Sequence, residues 1–285
     1  MTASRPIVGL TLNYRDAVRT LRCVQSLLME NVEHVIIWDN SEDGGKSVDS
    51  LKSNLKQESR VEIVSSTTNL GFAAAVNRGI SLIKKRYARA LVLLINNDAR
   101  LLPGAAATLA VALDCQPQAA IAYPDIDHAG TILGTIYYQR YTGLLTHRRL
   151  PGSFAYASGC CLLIDMDRVE PPLFDEDFFM YGEDWLLGWK LREQEKMLHV
   201  PETLVFHEGS ASSGLGSEFY ETRMVAAHWL SVGKLAENRW DYLLLMVGRL
   251  LMLSIRGGVR VIRYRSIIPL RALLQGWHMA KNKCQ

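Results

Sequence analysis

The segment Leu91-Val92-Leu93-Leu94-Ile95, followed directly by Asn96-Asn97-Asp98 and closed by Pro103-Gly104, constrains the fold more than any other. Five apolar residues without alternation predict a strand covered on both faces, as in parallel sheets layered by helices. A strand buried on both sides leaves only its carboxyl end open to ligands. The polar triplet at that end therefore reads in two ways. It is either a ligand cluster with one carboxylate for a cation or phosphate, or a polar turn ahead of a helix starting near Pro103.

The surrounding pattern supports a layered α/β fold. Ile7 to Asn13, His34 to Asp39 and Val61 to Ser65 read as strands, and helical spacing covers Ala17 to Met29, Ser47 to Leu55, Gly71 to Tyr87 and Pro103 to Leu113. This βαβα order predicts a mainly parallel sheet with helices on both faces. Beyond Ile121 the pattern is mixed. Thr131 to Tyr141 is β-rich or loop and Ala157 to Ile164 is an apolar run. Asp184 to Gln194 reads as a helix, Met197 to Val200 and Leu204 to Phe206 as short strands, and Ser217 to Ala236 and Trp240 to Ile255 as helices. The expected division is a catalytic domain over 1–215, with halves of about 1–125 and 126–215, and a helical basic extension over 216–285.

Composition adds one asymmetry. The 285 residues are 48% hydrophobic and 21% charged with net charge +3, ordinary for a folded chain. No acid follows Asp241, whereas Arg249, Arg256, Arg260, Arg263, Arg265, Arg271, Lys281 and Lys283 do. Such a tail predicts an anionic partner. The apolar run Leu243 to Ile255, broken by Gly248 and Arg249, falls short of the roughly 20 residues a spanning helix needs. It reads instead as a segment for an anionic membrane surface, the alternative being a helix packed on the domain. Cys23, Cys115, Cys160, Cys161 and Cys284 are odd in number and lack metal-ligand spacing, so reduced thiols of a cytoplasmic protein are expected. No apolar signal region opens the chain, and secretion is not expected.

Four further polar features fall at strand ends or in the connecting loops: Asn13-Tyr14, Asp39-Asn40-Ser41, Asn69-Leu70-Gly71-Phe72 with Asn77 and Gly79, and Gly182-Glu183-Asp184. Each has a plain structural reading. Asp39 suits an Asx turn, Asn69 and Asp184 suit helix caps, and Gly71 suits a turn. Jointly they place carboxylates, amides and a helix N-terminus on one sheet edge, which suits a nucleotide diphosphate. No Gly-x-Gly-x-x-Gly follows the first strand, which disfavours a dehydrogenase. Nothing in the pattern calls for a nucleic-acid partner.

The ordered segments VGLTLNYRD, VIIWDNSEDGG, NLGFAAAVNRGI, LLINNDARLLPGA, FDEDFFMYGEDWLLGWKLR and VFHEGSASSG together resemble glycosyltransferase family 2, the inverting GT-A enzymes, and especially its rhamnosyltransferase-like branch. The resemblance spans roughly residues 7 to 214. It implies that Asn13 and Asp39 line the base and ribose pocket, with Asp39 accepting from the pyrimidine ring N–H. It implies that Asn69, Gly71, Asn77 and Asn97 shape the nucleotide-sugar site, and that Asp98 holds Mg²⁺ or Mn²⁺ with His207, which matches a later metal-site histidine. Asp184 matches the general base, with Glu183 beside it. Tyr181 and Trp185, with Phe178, Phe179 and Trp189, surround that acid; Trp185 and Trp189 are at core-like i, i+4 spacing, and Phe179 or Tyr181 suits an apolar wall for the acceptor.

The chain departs from its relatives twice. Asn96-Asn97-Asp98 replaces a motif that often carries two or three acids, so weak metal binding without donor is expected. Leu186 stands where a second acid commonly follows the base, which bears on acceptor contacts. The implied partners are a dTDP- or UDP-linked sugar, rhamnose foremost, and a lipid-linked glycan at the cytoplasmic face of the membrane. A sugar nucleotidyltransferase shares this architecture but needs a glycine-rich basic loop that Asn13-Tyr14-Arg15-Asp16 does not supply. A non-catalytic nucleotide-sugar scaffold is the other alternative, and Asp98 and Asp184 argue against it.

Overall fold

The computed structural model describes residues 5–30, 32–208 and 214–283. The chain divides into two compact units that interleave in sequence. One comprises Met1–Thr135, Ala157–Phe174 and Leu191–Gly209; the other comprises Ile136–Tyr156, Asp175–Lys190 and Ser210–Gln285. This differs from the linear division expected at residue 215. The C-terminal helices cluster in the same unit as segments from the middle of the chain.

The first unit is built on one mixed sheet. Strands β1 (Ile7–Asn13), β2 (His34–Asp39), β3 (Val61–Ser65) and β4 (Leu91–Ile95) are joined by helices α1 (Ala17–Met29), α2 (Lys46–Asn54) and α3 (Phe72–Arg86). β5 (Ala99–Leu101), α4 (Ala105–Asp114), β6 (Ile121–His128) and β7 (Thr131–Leu133) follow, and β11 (Cys161–Asp165) and β12 (Met197–His207) complete the unit. The order is β3-β2-β1-β4-β11-β6-β12-β5, with β7 on β6. β1, β2, β3 and β4 run parallel, and antiparallel β11 fits between β4 and β6. β4 is buried along its whole length, as its unbroken apolar run requires.

The parallel register brings the carboxyl ends of β1 and β2 together, Asn13 opposite Asp39, with β4 alongside β1. β12 is a single strand where two short ones were expected. Register shifts between Val200 and Thr203 and between Thr203 and Val205 absorb the polar Pro201-Glu202 interruption. Cys23, Cys160 and Cys161 are free and buried, and Cys115 is free and exposed. Burial pushes the Cys23 thiol up to about 12, so it is inert. Cys284 lies outside the described residues.

The second unit carries the antiparallel sheet β10-β8-β9, from β8 (Ile136–Gln139), β9 (Leu145–Thr146) and β10 (Ser153–Tyr156), and the helices α5 (Glu183–Leu191), α6 (Glu218–Leu235), α7 (Arg239–Tyr264) and α8 (Ile268–Lys283). Its core gathers Tyr138, Phe154, Tyr156, Phe178, Trp185 and Leu245.

α7 corrects the expected broken segment. It runs unbroken for 26 residues, capped by the Asn238 side chain, and is long and apolar enough by length and composition to cross a membrane. Gly248 does not break it. A Cβ there would lie 2.2 Å from the Tyr141 carbonyl oxygen, so only glycine lets the helix approach that loop. Arg249 is fully buried, donates through Nη2 to the Arg140 carbonyl at 2.8 Å and lies over the Tyr138 ring. Arg256 and Arg260 pair with Glu221 of α6. Three of the tail's eight cations are therefore spent inside the fold.

Candidate active site

At the carboxyl ends of β1 and β2, a dense polar network replaces the loose set of ligands the sequence suggests. Asp39 is 2% exposed, and its Oδ1 accepts from Asn13 Nδ2 and from the Ser41 hydroxyl, each at 2.6 Å. Asn13 is wholly buried; its amide also donates to Ser41 Oγ at 3.0 Å, and its Oδ1 accepts from the Thr20 hydroxyl at 2.8 Å. Thr20 Oγ1 in turn accepts from Asn97 Nδ2 at 3.0 Å. Asn13 thus serves as the bracket that aims Asp39 and ties it, through Thr20, to the loop after β4.

The loop before α3 is organised by turn chemistry. Asn69 Oδ1 accepts from the Gly71 amide at 2.9 Å, an Asx turn. Asn40 spans the gap, donating to the Gly71 carbonyl at 3.0 Å and accepting from the Leu70 amide at 3.3 Å. Asn77 is buried, and its amide clasps Phe174, donating to the carbonyl at 2.8 Å and accepting from the N–H at 3.1 Å. This clasp satisfies two backbone groups of a buried loop.

Beyond β4, Asp98 Oδ1 lies 3.0 Å from His207 Nε2 on β12, with the two side chains only 11% and 14% exposed. His207 Nδ1 is 2.9 Å from His128 Nδ1 at the end of β6. The Glu208 amide donates to the Asp98 carbonyl at 3.0 Å, fixing the two loops together. Burial, then the nearby His207, lowers the His128 pKa and favours its neutral ring. A neutral His128 is able to accept the Nδ1–H of His207, and that tautomer would present the Nε2 lone pair to a cation shared with Asp98; without one, Nε2–H donates to Asp98 Oδ1. Two acceptors converging at 3.0 Å are what a shared cation needs, so these residues fit a divalent ion. Among the described residues no group of three or more His, Cys, Asp or Glu side chains forms a complete cage, so remaining ligands must come from substrate and water. Gly209 lies outside the described residues.

The acid expected as base belongs to the second unit. Tyr181 and Gly182 both take positive φ, +68° and +100°, and this kink delivers Glu183-Asp184 into the first turn of α5. A side chain at position 182 would be strained at that φ. Asp184 is half-buried, and its Oδ1 accepts from the Trp185 amide at 2.8 Å, a helix-start contact. Glu183 is buried, and among the described residues its Oε2 has no hydrogen-bond partner. Burial first, then the Asp184 charge, raises its pKa well above the ordinary 4.5 and keeps it protonated.

Trp185 is corrected to a core residue. It is 2% exposed, its indole donates to Ser231 at 2.8 Å, and it stacks on Tyr138 and His228. Tyr181 packs edge-on against Tyr220. A small, partly open pocket adjoins this loop, walled by Phe179, Met180, Tyr181 and Met279 with Asp177, Arg223 and Lys283. The Arg223 guanidinium lies 4.1 Å from the Phe179 ring centre, and burial lowers its pKa. Sequence reasoning missed Thr20, His128 and Arg223. No motif marks them, and the first two are legible only once strand ends are brought together.

Known proteins resemble this arrangement. Residues 10–170 match the family model described as Glycosyl transferase family 2. The N-acetylglucosaminyl-diphospho-decaprenol L-rhamnosyltransferases of Mycobacterium tuberculosis strains CDC 1551 / Oshkosh and ATCC 25618 / H37Rv are each 26% identical over 246 residues, spanning 75% of this chain and 79% of theirs. Among solved structures, GalNAc-T7 with UDP, GalNAc and Mn²⁺ superposes with a TM-score of 0.60 at 13% identity, over 82% of this chain. S. aureus TarS 1-349 superposes at 0.53 and 12% identity, over 80%. The chain spans about half of the first structure (48%) and 65% of the second, and at these identities the likeness shows the GT-A fold alone. With more than half its length matched by the family model, this chain is a member of glycosyl transferase family 2 and a glycosyltransferase.

Proposed function

We propose that this enzyme is an inverting transferase moving rhamnose from dTDP-rhamnose to a lipid-linked glycan at the cytoplasmic face of the membrane. The observation that carries the reading is the likeness, over most of both chains, to mycobacterial proteins whose name specifies rhamnose and a diphospho-decaprenol acceptor. In this reading Asp39, aimed by Asn13 and Ser41, accepts from the base N–H of the donor nucleotide. Asp98 and His207, backed by His128, hold Mg²⁺ or Mn²⁺. When bound, such an ion neutralises the charge that builds on the departing diphosphate. Asp184 takes the proton from the acceptor hydroxyl as its oxygen attacks the anomeric carbon and the nucleoside diphosphate leaves from the opposite face.

Glu183, held neutral beside Asp184, leaves a single charged carboxylate to act as base. The shallow pocket next to this loop offers a contact face for the acceptor: Phe179, Met180 and Met279 supply apolar surface, and Arg223 and Lys283 supply cations beside Asp177.

The test is transfer with dTDP-rhamnose and a panel of UDP-sugars onto a polyprenyl-diphosphate-linked N-acetylglucosamine, with and without EDTA. Rhamnosyl transfer lost in chelator supports the reading. Transfer from a UDP-sugar alone replaces the donor, and full activity in EDTA removes the ion from Asp98 and His207. Synthesis of nucleotide sugar from a sugar phosphate would make the protein a nucleotidyltransferase.

A further inference from the structure

α7 shows two opposite faces. On one, Asp241, Leu245, Arg249, Leu253 and Gly257, four residues apart in turn, are buried in the second unit. Arg140 pairs with Asp241, and Arg256 and Arg260 pair with Glu221, so every charged group between Asp241 and Arg260 is held on the protein side. On the other face the spacing i, i+3, i+4, i+7 runs the length of the helix. Leu243, Leu244, Val247, Leu251, Ile255 and Ile262 lie there, each more than half exposed. The exposed positions between Asp241 and Arg263 carry no charge at all. From Leu243 to Ile262 this stripe extends about 29 Å at 1.5 Å per residue. Contiguous exposed apolar surface of this extent is an interaction face.

What covers it is indicated by its ends. Arg239 and Trp240 stand at the start, and Arg263, Arg265 and Arg271 cluster around the turn into α8, all exposed. α8 then adds Leu270, Leu274 and Trp277 as exposed apolar residues and ends in Lys281 and Lys283. With no acid after Asp241, the rim at the α7–α8 turn and along α8 carries cations only. An apolar stripe framed by Arg, Lys and Trp is complementary to an anionic bilayer, whose acyl layer takes the stripe and whose headgroups take the cations.

We infer that α7 lies in the plane of the membrane as a monotopic anchor, its Leu243–Ile262 face sunk among the acyl chains and the basic α7–α8 turn on anionic headgroups. The inference rests on the membrane-side reading proposed above, which it makes specific. Although α7 is long enough to span, a spanning helix would need its Asp241–Gly257 face and the ion pairs to Glu221 to leave the protein for lipid.

Flotation of the full chain with preformed vesicles tests this, comparing pure phosphatidylcholine with a phosphatidylcholine–phosphatidylglycerol mixture. The protein is expected to float with the mixed vesicles and to remain largely bound at about 1 M salt, where the Debye length falls to ~3 Å. The exposed double variant Leu244→Glu/Leu251→Glu is expected to reduce binding by about tenfold or more, since it sets two charges on the lipid side. Thermal shift with dTDP and UDP, measured in parallel, reports the donor site separately. Unchanged flotation of the variant, or no flotation of the native chain while nucleotide still stabilises it, overturns the anchor and leaves the transferase reading standing. Vesicle binding without any nucleotide response does the reverse. A native dimer that ignores vesicles and is split by the double substitution overturns the anchor in favour of a second copy of the chain.

Discussion

Asn13 and Asp39 show how one strand end becomes specific. Asn13 spends both ends of its amide holding Asp39, Ser41 and Thr20 in place, so the residue that looks like a ligand works as a support. Asp39→Ala is expected to weaken donor nucleotide binding by about 10- to 100-fold, the loss of a charge-assisted hydrogen bond worth roughly 1.5–3 kcal/mol. Isothermal titration with dTDP and UDP reads it, and unchanged affinity would remove Asp39 from the base pocket. His128, which no motif announces, supports His207 in the same way. His128→Ala is expected to weaken Mn²⁺ binding in the presence of nucleotide by about 10- to 100-fold, as loss of a histidine's outer partner does. Equal Mn²⁺ affinity in variant and native protein would show that His207 does not depend on it.

At the scale of elements, the strands and first helices were legible because their signals are local. Leu91 to Ile95 is apolar without interruption and became the buried strand expected, and the end of β2 at Asp39 follows from the turn residues after it. What local pattern did not reveal is which polar residues face one another across strands. Thr20 meets Asn97 over a sequence gap of 77 residues, and His128 meets His207 over 79. α7 was misjudged for the same reason. Gly248 and Arg249 look like breaks until the Tyr141 carbonyl and the Tyr138 ring are in place against them.

α5 carries its own test, through Glu183. An acid with a raised pKa in the folded state takes up a proton on folding between its unfolded and folded values. Its contribution is therefore full below its ordinary 4.5 and is lost as pH rises toward the raised folded value. Melting temperature is expected to fall as pH rises from about 5 toward neutrality, and Glu183→Gln is expected to flatten that slope. An unaltered slope would mean Glu183 is ionised in the fold.

For the whole molecule, the residues given roles in the proposed reaction fall in two units interleaved in sequence. The first carries Asp39, Asp98 and His207, the second carries Asp184 and the helices of the proposed anchor. The family model matches residues 10–170, a span that holds Asp39 and Asp98 but neither His207 nor Asp184. The central claim is a division of labour between two acids. The most direct measurement is transfer rate and donor affinity in Asp184→Asn, side by side with the native enzyme. The account predicts a rate lower by about 10²–10⁴-fold, the usual contribution of a general base, with nucleotide affinity unchanged. Native-rate transfer by Asp184→Asn would contradict it.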